Sequence, residues 1–223
     1  MNLKLELVSQ AVNMVSDGMI LGVGAGSTVE LFVKQLLEYV QQKGIHIKFV
    51  SASSELNSLA RVAGVTLLEI ENVSEVDLLV DGADYVDVDR SLVSKGNGGF
   101  IFNELYLASQ AKSSVILVDD SKLNFERLPK IFLEVDESMI AEVFNELSEY
   151  SCFIREKLSE SGNLVVELSV ENADDLENFL NIDKEIEGVL ACGVVRNFYD
   201  HVWIARENDG RVVIDKFNLK NDR

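Results

Sequence analysis

Four short stretches of the sequence gather residues that can hold an anion or move a proton. In GVGAGST (22–28) the glycines, Gly24 and Gly26 among them, let backbone come close to an anion. A helix beginning at Ser27 and Thr28 would turn its positive end toward that anion. Ser27 with Glu30 fits a capping box, which predicts the helix start. The stretch fails as a dinucleotide fingerprint: the third glycine of GxGxxG would fall at Ser27, and no acid follows at roughly 20 residues. It also lacks the GK[ST] of a Walker loop. A phosphate-binding turn and a plain tight turn between strand and helix both fit it.

In VDGADYVDVD (80–89), Asp81 and Asp84 come at the end of an apolar run, where open α/β sheets place their sites. Two neighbouring carboxylates can divide acid and base roles, because each raises the other's pKa. A turn stabilised by its aspartates fits as well. A metal held by Asp81, Asp84, Asp87 and Asp89 is the third option, but the spacing is not that of an EF-hand loop and no histidine assists. In SKGNGGFIFNEL (94–105), Lys95 opens a glycine-rich loop with Gly96 and Gly98, and Glu104 follows in the first turn of a helix. An ammonium can stabilise a developing oxyanion, and a partly desolvated glutamate can take a proton from carbon. A glutamate in a first helical turn is also ordinary dipole chemistry. In DDSK (119–122), Lys122 can hold a phosphate or merely solvate a loop.

These residues need elements to position them. Leu7, Val8, Ala11, Val12 and Val15 have helical spacing over 2–15, with Gly18 as a stop. The pattern then predicts strand 19–24, helix 28–41, strand 45–51, helix 54–63, strands 65–70 and 76–80, helix 100–111 and strand 114–120. Such alternation predicts an α/β fold: a Rossmann-like, mostly parallel sheet with helices on both faces. The only proline, Pro129, marks a break. Beyond it the pattern reads strand 130–135, helix 137–150, strands 152–158 and 163–170, helix 173–182 and strand 189–196. That order, βαββαβ, predicts an inserted α+β, ferredoxin-like subdomain. The tail 201–217 reads as a hairpin turning at Asn208, Asp209 and Gly210, returning to the first unit. The division is therefore 1–129 with 200–223, and 130–199.

Composition supports the division. The chain of 223 residues has a net charge of −18, with 47% apolar residues. Segment 131–190 holds 16 acids against 3 bases, and the rest 22 against 17. So acidic a surface repels a phosphate backbone, which argues against nucleic-acid binding. No apolar run reaches the roughly 20 residues of a membrane span, and the N-terminus does not read as a secretory signal. Cys152 and Cys192 lie in apolar contexts without zinc-ligand spacing and read as buried free thiols of a reducing cytoplasm. His46 and His201 read as strand residues.

Taken together, the four stretches resemble ribose-5-phosphate isomerase of the A type. That family carries GxGTGST, DGADE, KGGGG…E and D-S-K in order; here they stand at 22–28, 81–84, 95–104 and 120–122. The resemblance covers essentially the full chain, the inserted unit included. It implies a metal-free isomerase without cofactor that interconverts D-ribose 5-phosphate and D-ribulose 5-phosphate through an enediolate, in the non-oxidative pentose phosphate pathway. By position it makes Glu104 the base between C2 and C1 and Lys95 the cation beside the enediolate oxygen. Asp81 and Asp84 would bind sugar hydroxyls and assist ring opening and proton shuttling. Ser27, Thr28 and Lys122 would hold the phosphate or nearby oxygens, Lys4 is a further candidate, and Gly24, Gly26, Gly96 and Gly98 would line the substrate site. The resemblance also implies a cytoplasmic homodimer or tetramer.

The sequence departs from the family pattern at several places. Ala25 replaces the threonine of GTGST, Tyr85 follows DGAD where an acid is usual, and Asn97 interrupts the glycine run. Asn103 stands where a basic residue commonly precedes the glutamate, and SESGN (159–163) replaces TDNGN. These changes bear on affinity and rate more than on reaction type. The rival readings are a non-catalytic sugar-phosphate sensor on the same fold and, against the failed fingerprint, an NAD-dependent dehydrogenase.

Overall fold

The computed structural model describes residues 2–123 and 130–220; Pro129 lies outside the described residues. Asn2 caps the first helix, α1 (Leu3–Ala11), through a hydrogen bond from Leu5 N–H to its side chain, and Leu7, Val8 and Ala11 form the buried stripe. A seven-stranded sheet follows, built from β1 (Ile20–Val23), β2 (Lys48–Ser51), β3 (Thr66–Leu67), β4 (Leu78–Asp81), β7 (Ser114–Asp119), β13 (His201–Asn208) and β14 (Arg211–Asn218). Its order is β14-β13-β7-β4-β1-β2-β3. Only the β13–β14 hairpin is antiparallel.

Between the strands run α2 (Ser27–Lys43), α3 (Ser54–Val62) and α4 (Ile101–Ser109). Gly44, at φ +64, ends α2 in the left-handed conformation that glycine adopts without strain. The expected helices on both faces are present. Val29, Phe32 and Leu36 of α2 and Leu56 of α3 pack with α1 over Leu21, Val23, Val80 and Val115. Leu107 and Ala108 of α4 cover the opposite face, against Leu79, Ile116, Val118 and Val202. The single alternation from Leu79 to Val80 thus decides which face each residue of β4 serves.

The acidic segment forms its own antiparallel sheet from β8 (Lys130–Val135), β9 (Ser151–Ile154), β10 (Leu164–Ser169) and β11 (Val189–Cys192), in the order β11-β8-β10-β9. One face, Ile131, Leu133, Val135, Val166 and Leu168, packs on Val143 of α5 (Ile140–Glu146), on Leu176 and Phe179, and on Ile182 of α6 (Ile182–Glu185). The other face carries Phe132, Val165 and Ala191 onto Ile101 at the start of α4.

The structure differs most from the sequence pattern in the following places. The helix expected over 173–182 is a 3₁₀ run, Ala173–Phe179, followed by the single turn of α6 after Asn181 at φ +68. The strand expected over 189–196 is two strands, β11 and β12 (Val194–Arg196), separated by Gly193. β12 joins β6 (Leu92–Ser94) and β5 (Tyr85–Asp87) in a three-stranded sheet, and neither β5 nor β6 was expected. Strands of three residues are too short to show alternation. Among the described residues, no helix is long and apolar enough to cross a membrane.

Candidate active site

Strand order reverses between β1 and β4, and a cleft opens at their carboxyl ends, as open α/β sheets dictate. Gly24, just after β1, donates its N–H to Val80 O at 3.0 Å. It has no room for a side chain, since a Cβ would stand 1.8 Å from Asp81 Oδ1. Gly26, at φ +97, is the N-cap of α2. The expected capping box is absent: no side chain caps this helix, and Glu30 pairs with Lys34 instead. Ser27 is already the first helical residue, so its hydroxyl is one position too late to cap. Ser27 Oγ accepts from Lys4 Nζ at 3.0 Å.

Asp81 ends β4 on the same face as Leu79, toward α4. It is fully buried. Its Oδ1 accepts from Gly82 N–H at 2.7 Å, and its Oδ2 accepts from Lys95 Nζ and, at 3.1 Å, from the Tyr199 hydroxyl. Lys95 follows β6 and is fixed by its own N–H to Gly193 O at 2.8 Å. Its ammonium also donates to Gly82 O at 2.9 Å and pairs with Glu104 Oε2 at 3.3 Å. Two of its three donors thus have hydrogen-bond acceptors, and Glu104 is held beside it as an ion pair. Glu104 lies on the buried stripe of α4 with Ile101 and Leu107, and its Oε1 accepts from Ala25 N–H at 3.2 Å.

Burial and the Asp81 carboxylate push the Glu104 carboxyl well above the usual carboxylate range, with Lys95 opposing them. Burial works against the Lys95 charge, but the Asp81 and Glu104 carboxylates outweigh it and raise its pKa. A buried cation next to a carboxyl poised to exchange a proton is an arrangement for enolisation chemistry.

The cleft has a volume of about 120 Å³. Glu104, Lys95 and Asp84 line it, together with Lys4, Ser27, Thr28 and Lys122, and with Gly26, Gly96 and Gly98. The Asp84 carboxylate accepts from Asn97 N–H at 2.9 Å. Among the described residues, no three His, Cys, Asp or Glu side chains are placed to hold a metal ion.

A family profile for ribose 5-phosphate isomerase A (phosphoriboisomerase A) matches residues 48–209. The chain belongs to this family. Over 226 residues it is 31% identical to ribose-5-phosphate isomerase A of Staphylococcus haemolyticus, covering 97% of each chain. The solved ribose 5-phosphate isomerase A of Methanocaldococcus jannaschii superposes with a TM-score of 0.84 at 29% identity, covering 96% of this chain and 98% of that one. A D-ribose-5-phosphate isomerase solved in complex with phospho-erythronic acid gives a TM-score of 0.84 at 25% identity, covering 96% of this chain and 99% of that one.

Within this isomerase A fold, ten of the twelve residues expected at the site line the cleft. The other two are Asp81 and Gly24. Asp81 is fully buried and does not itself line the cleft, and Gly24 makes the space Asp81 occupies. The family departures also have tasks. Ala25 serves through its main chain. Asn97 needs no left-handed backbone, because the positive φ values fall on Gly96 and Gly99. Asn103 donates to Ala52 O at 3.2 Å and accepts from Ser161 Oγ at 3.0 Å, so it ties α4 to the loop at 159–163. Glu160 of that loop accepts from Ser54 N–H at 2.7 Å and donates its own N–H to Gly99 O at 2.8 Å. Tyr199 lies outside the sequence motifs, whereas Phe100 and Asp119 fall inside the stretches 94–105 and 119–122 without being singled out as site residues.

Proposed function

We propose that this chain interconverts D-ribose 5-phosphate and D-ribulose 5-phosphate by proton transfer through an enediolate. The observation that carries the reading is the Glu104–Lys95 pair in the cleft of a chain belonging to the isomerase A family. Relatives bear that name, and one structural neighbour was solved with a four-carbon phosphorylated acid.

In the forward direction Glu104 takes the proton from C2 of the open-chain aldose. The C2–H electron pair becomes the C1–C2 double bond, and the carbonyl pair moves onto O1. The Lys95 ammonium stabilises that developing charge. Glu104 returns its proton to C1 while the O2 hydroxyl loses its proton, so O1 ends as a hydroxyl and O2 as the ketone. Asp84, the aspartate that lines the cleft, is suited to opening the ring and to carrying the proton between O2 and O1. Asp81 acts through Lys95, as a positioning residue, because it is sealed from the cleft. Lys4, Lys122, Ser27 and Thr28 supply cations, hydroxyls and a helix start for the phosphate, inside a chain whose net charge of −18 otherwise repels it.

The same proposal carries a cytoplasmic homo-oligomer and an inserted subdomain over 130–199. The test is turnover of ribose 5-phosphate by the purified chain in excess EDTA. Formation of ribulose 5-phosphate is expected. Binding without turnover would leave a sugar-phosphate sensor, and activity that EDTA abolishes and a divalent ion restores would overturn the metal-free mechanism.

A further inference from the structure

Among the described residues Tyr199 is the largest fully buried side chain, and nothing in the isomerisation steps uses it. It lies just before β13, on a segment fixed to the start of β7. Asp200 accepts from Ser114 N–H at 2.7 Å and Ser114 Oγ at 2.9 Å, and Asp200 N–H donates to Ser114 Oγ at 2.9 Å. This anchoring leaves the Tyr199 hydroxyl on Asp81 Oδ2 at 3.1 Å, with the ring centroid 5.4 Å from Lys95 Nζ. Phe198 packs edge-on against the ring at 5.7 Å. The phenol, itself fully buried and outside the cleft lining, therefore engages both members of the Asp81–Lys95 pair.

We propose that Tyr199 is a positioning residue for the isomerisation: its hydroxyl holds the Asp81 carboxylate, and through it the Lys95 ammonium, in the orientation that faces the substrate oxygen. A carboxylate that accepts one more hydrogen bond is stabilised in its ionised form. The electron-rich ring face favours a cation beside it. Burial first, and then the Asp81 and Glu104 charges, push the phenol well above its ordinary pKa, so it remains a donor throughout the working range. The ionisable groups around this point are Asp81 on β4, Asp84 on the following loop, Lys95 after β6, Glu104 on α4 and Asp119 at the end of β7. β1 contributes only Gly24 and the Ala25 main chain. Asp81 and Glu104 share one ammonium, so how tightly Asp81 holds Lys95 sets how much of that charge Glu104 receives.

This inference rests on the proposed isomerase reading, and its test separates the two. Tyr199→Phe keeps the ring and its packing and removes only the donor. A hydrogen bond to a charged group is worth roughly tenfold in an equilibrium, so kcat is expected to fall by about three- to tenfold. KM should change less than about twofold, because Tyr199 does not line the cleft. Without the phenol donor Asp81 draws the Lys95 ammonium more strongly, Glu104 loses part of the charge that opposes its raised pKa, and the acid limb of kcat/KM should move to higher pH. A merely structural residue would lower the melting temperature and leave the limb in place. Carbon-13 NMR titration of the Glu104 carboxyl carbon in both proteins gives the same readout without turnover, with proton uptake by Glu104 expected at higher pH in Tyr199→Phe. If the wild type is inactive, the isomerase reading fails and the titration alone decides the role of Tyr199. Superimposable rate profiles or titrations in the two proteins overturn it.

Discussion

The Ala25 main-chain N–H donates to Glu104 Oε1 at 3.2 Å, which joins the turn after β1 to the helix bearing the proposed base. The other oxygen meets Lys95 at 3.3 Å, so the carboxylate is oriented from two sides before substrate arrives. Glu104→Gln keeps the acceptor for Ala25 but cannot take a proton from carbon. Its kcat is expected to fall at least about 10²-fold, the low end for general-base catalysis, while calorimetry still detects sugar-phosphate binding. Turnover within a few-fold of wild type would remove Glu104 from the mechanism.

The burial that holds Glu104 also sets a pH limit. Desolvation and then Asp81 raise its pKa well above the usual carboxylate value, and Lys95 offsets this only in part. The raised pKa keeps the proton on Glu104 to higher pH, and only the ionised form can act as base. Activity should therefore be lost on acidification through a midpoint above the ordinary carboxylate range. A plot of kcat/KM against pH checks this, and an acid limb at the pH of an exposed carboxylate would exclude Glu104 as the titrating group.

Lys122 follows β7, and Lys4 comes from α1 to meet Ser27 at 3.0 Å. Both line the cleft and both are cations in an acidic chain. Each charge-assisted contact to a phosphate is worth about 1.5–3 kcal/mol. Lys122→Ala should raise KM for ribose 5-phosphate by about tenfold or more, with a smaller change in kcat. Phosphate-free ribose should remain an equally poor substrate for both proteins. An unchanged KM would place Lys122 outside the phosphate site.

The fold and most of the site were legible because they rest on local pattern. Gly24–Gly26 follows a strand and precedes a helix, and Lys95 and Glu104 bracket a glycine-rich loop, which are the local patterns found at the carboxyl ends of the central strands. Tyr199 is 118 residues from Asp81, and no motif marks it, so only the tertiary structure joins them. The capping box at Ser27 and Glu30 matched in letters but failed in geometry, because Gly26 takes the cap with a positive φ. Asp81 looked like Asp84 in sequence. One sits in the strand on the α4 side and is sealed; the other is on the loop and faces the cleft.

That difference makes Gly24 a sensitive position. A Cβ there would lie 1.8 Å from Asp81 Oδ1 and 2.2 Å from its Cγ, closer than any contact allows. Asp81 could yield only by leaving Gly82 N–H, Lys95 and Tyr199, all of them in a buried space. Overpacking of this kind costs about 1–3 kcal/mol, and disturbing a buried ion pair adds to it. Gly24→Ala is therefore expected to lose at least about 2 kcal/mol, which is about 4–8 °C in melting temperature for a chain of this size. It should also lose kcat at temperatures where it is folded, because Lys95 moves with Asp81. Gly18→Ala is the control. Gly18 has φ +81, and an added Cβ would meet nothing within 4 Å, so that variant carries backbone strain alone. It should cost about 1–2 kcal/mol of stability with kcat unchanged. Equal kcat in the two variants, measured below both melting transitions, would show that the position of the Asp81 carboxylate does not matter to the reaction.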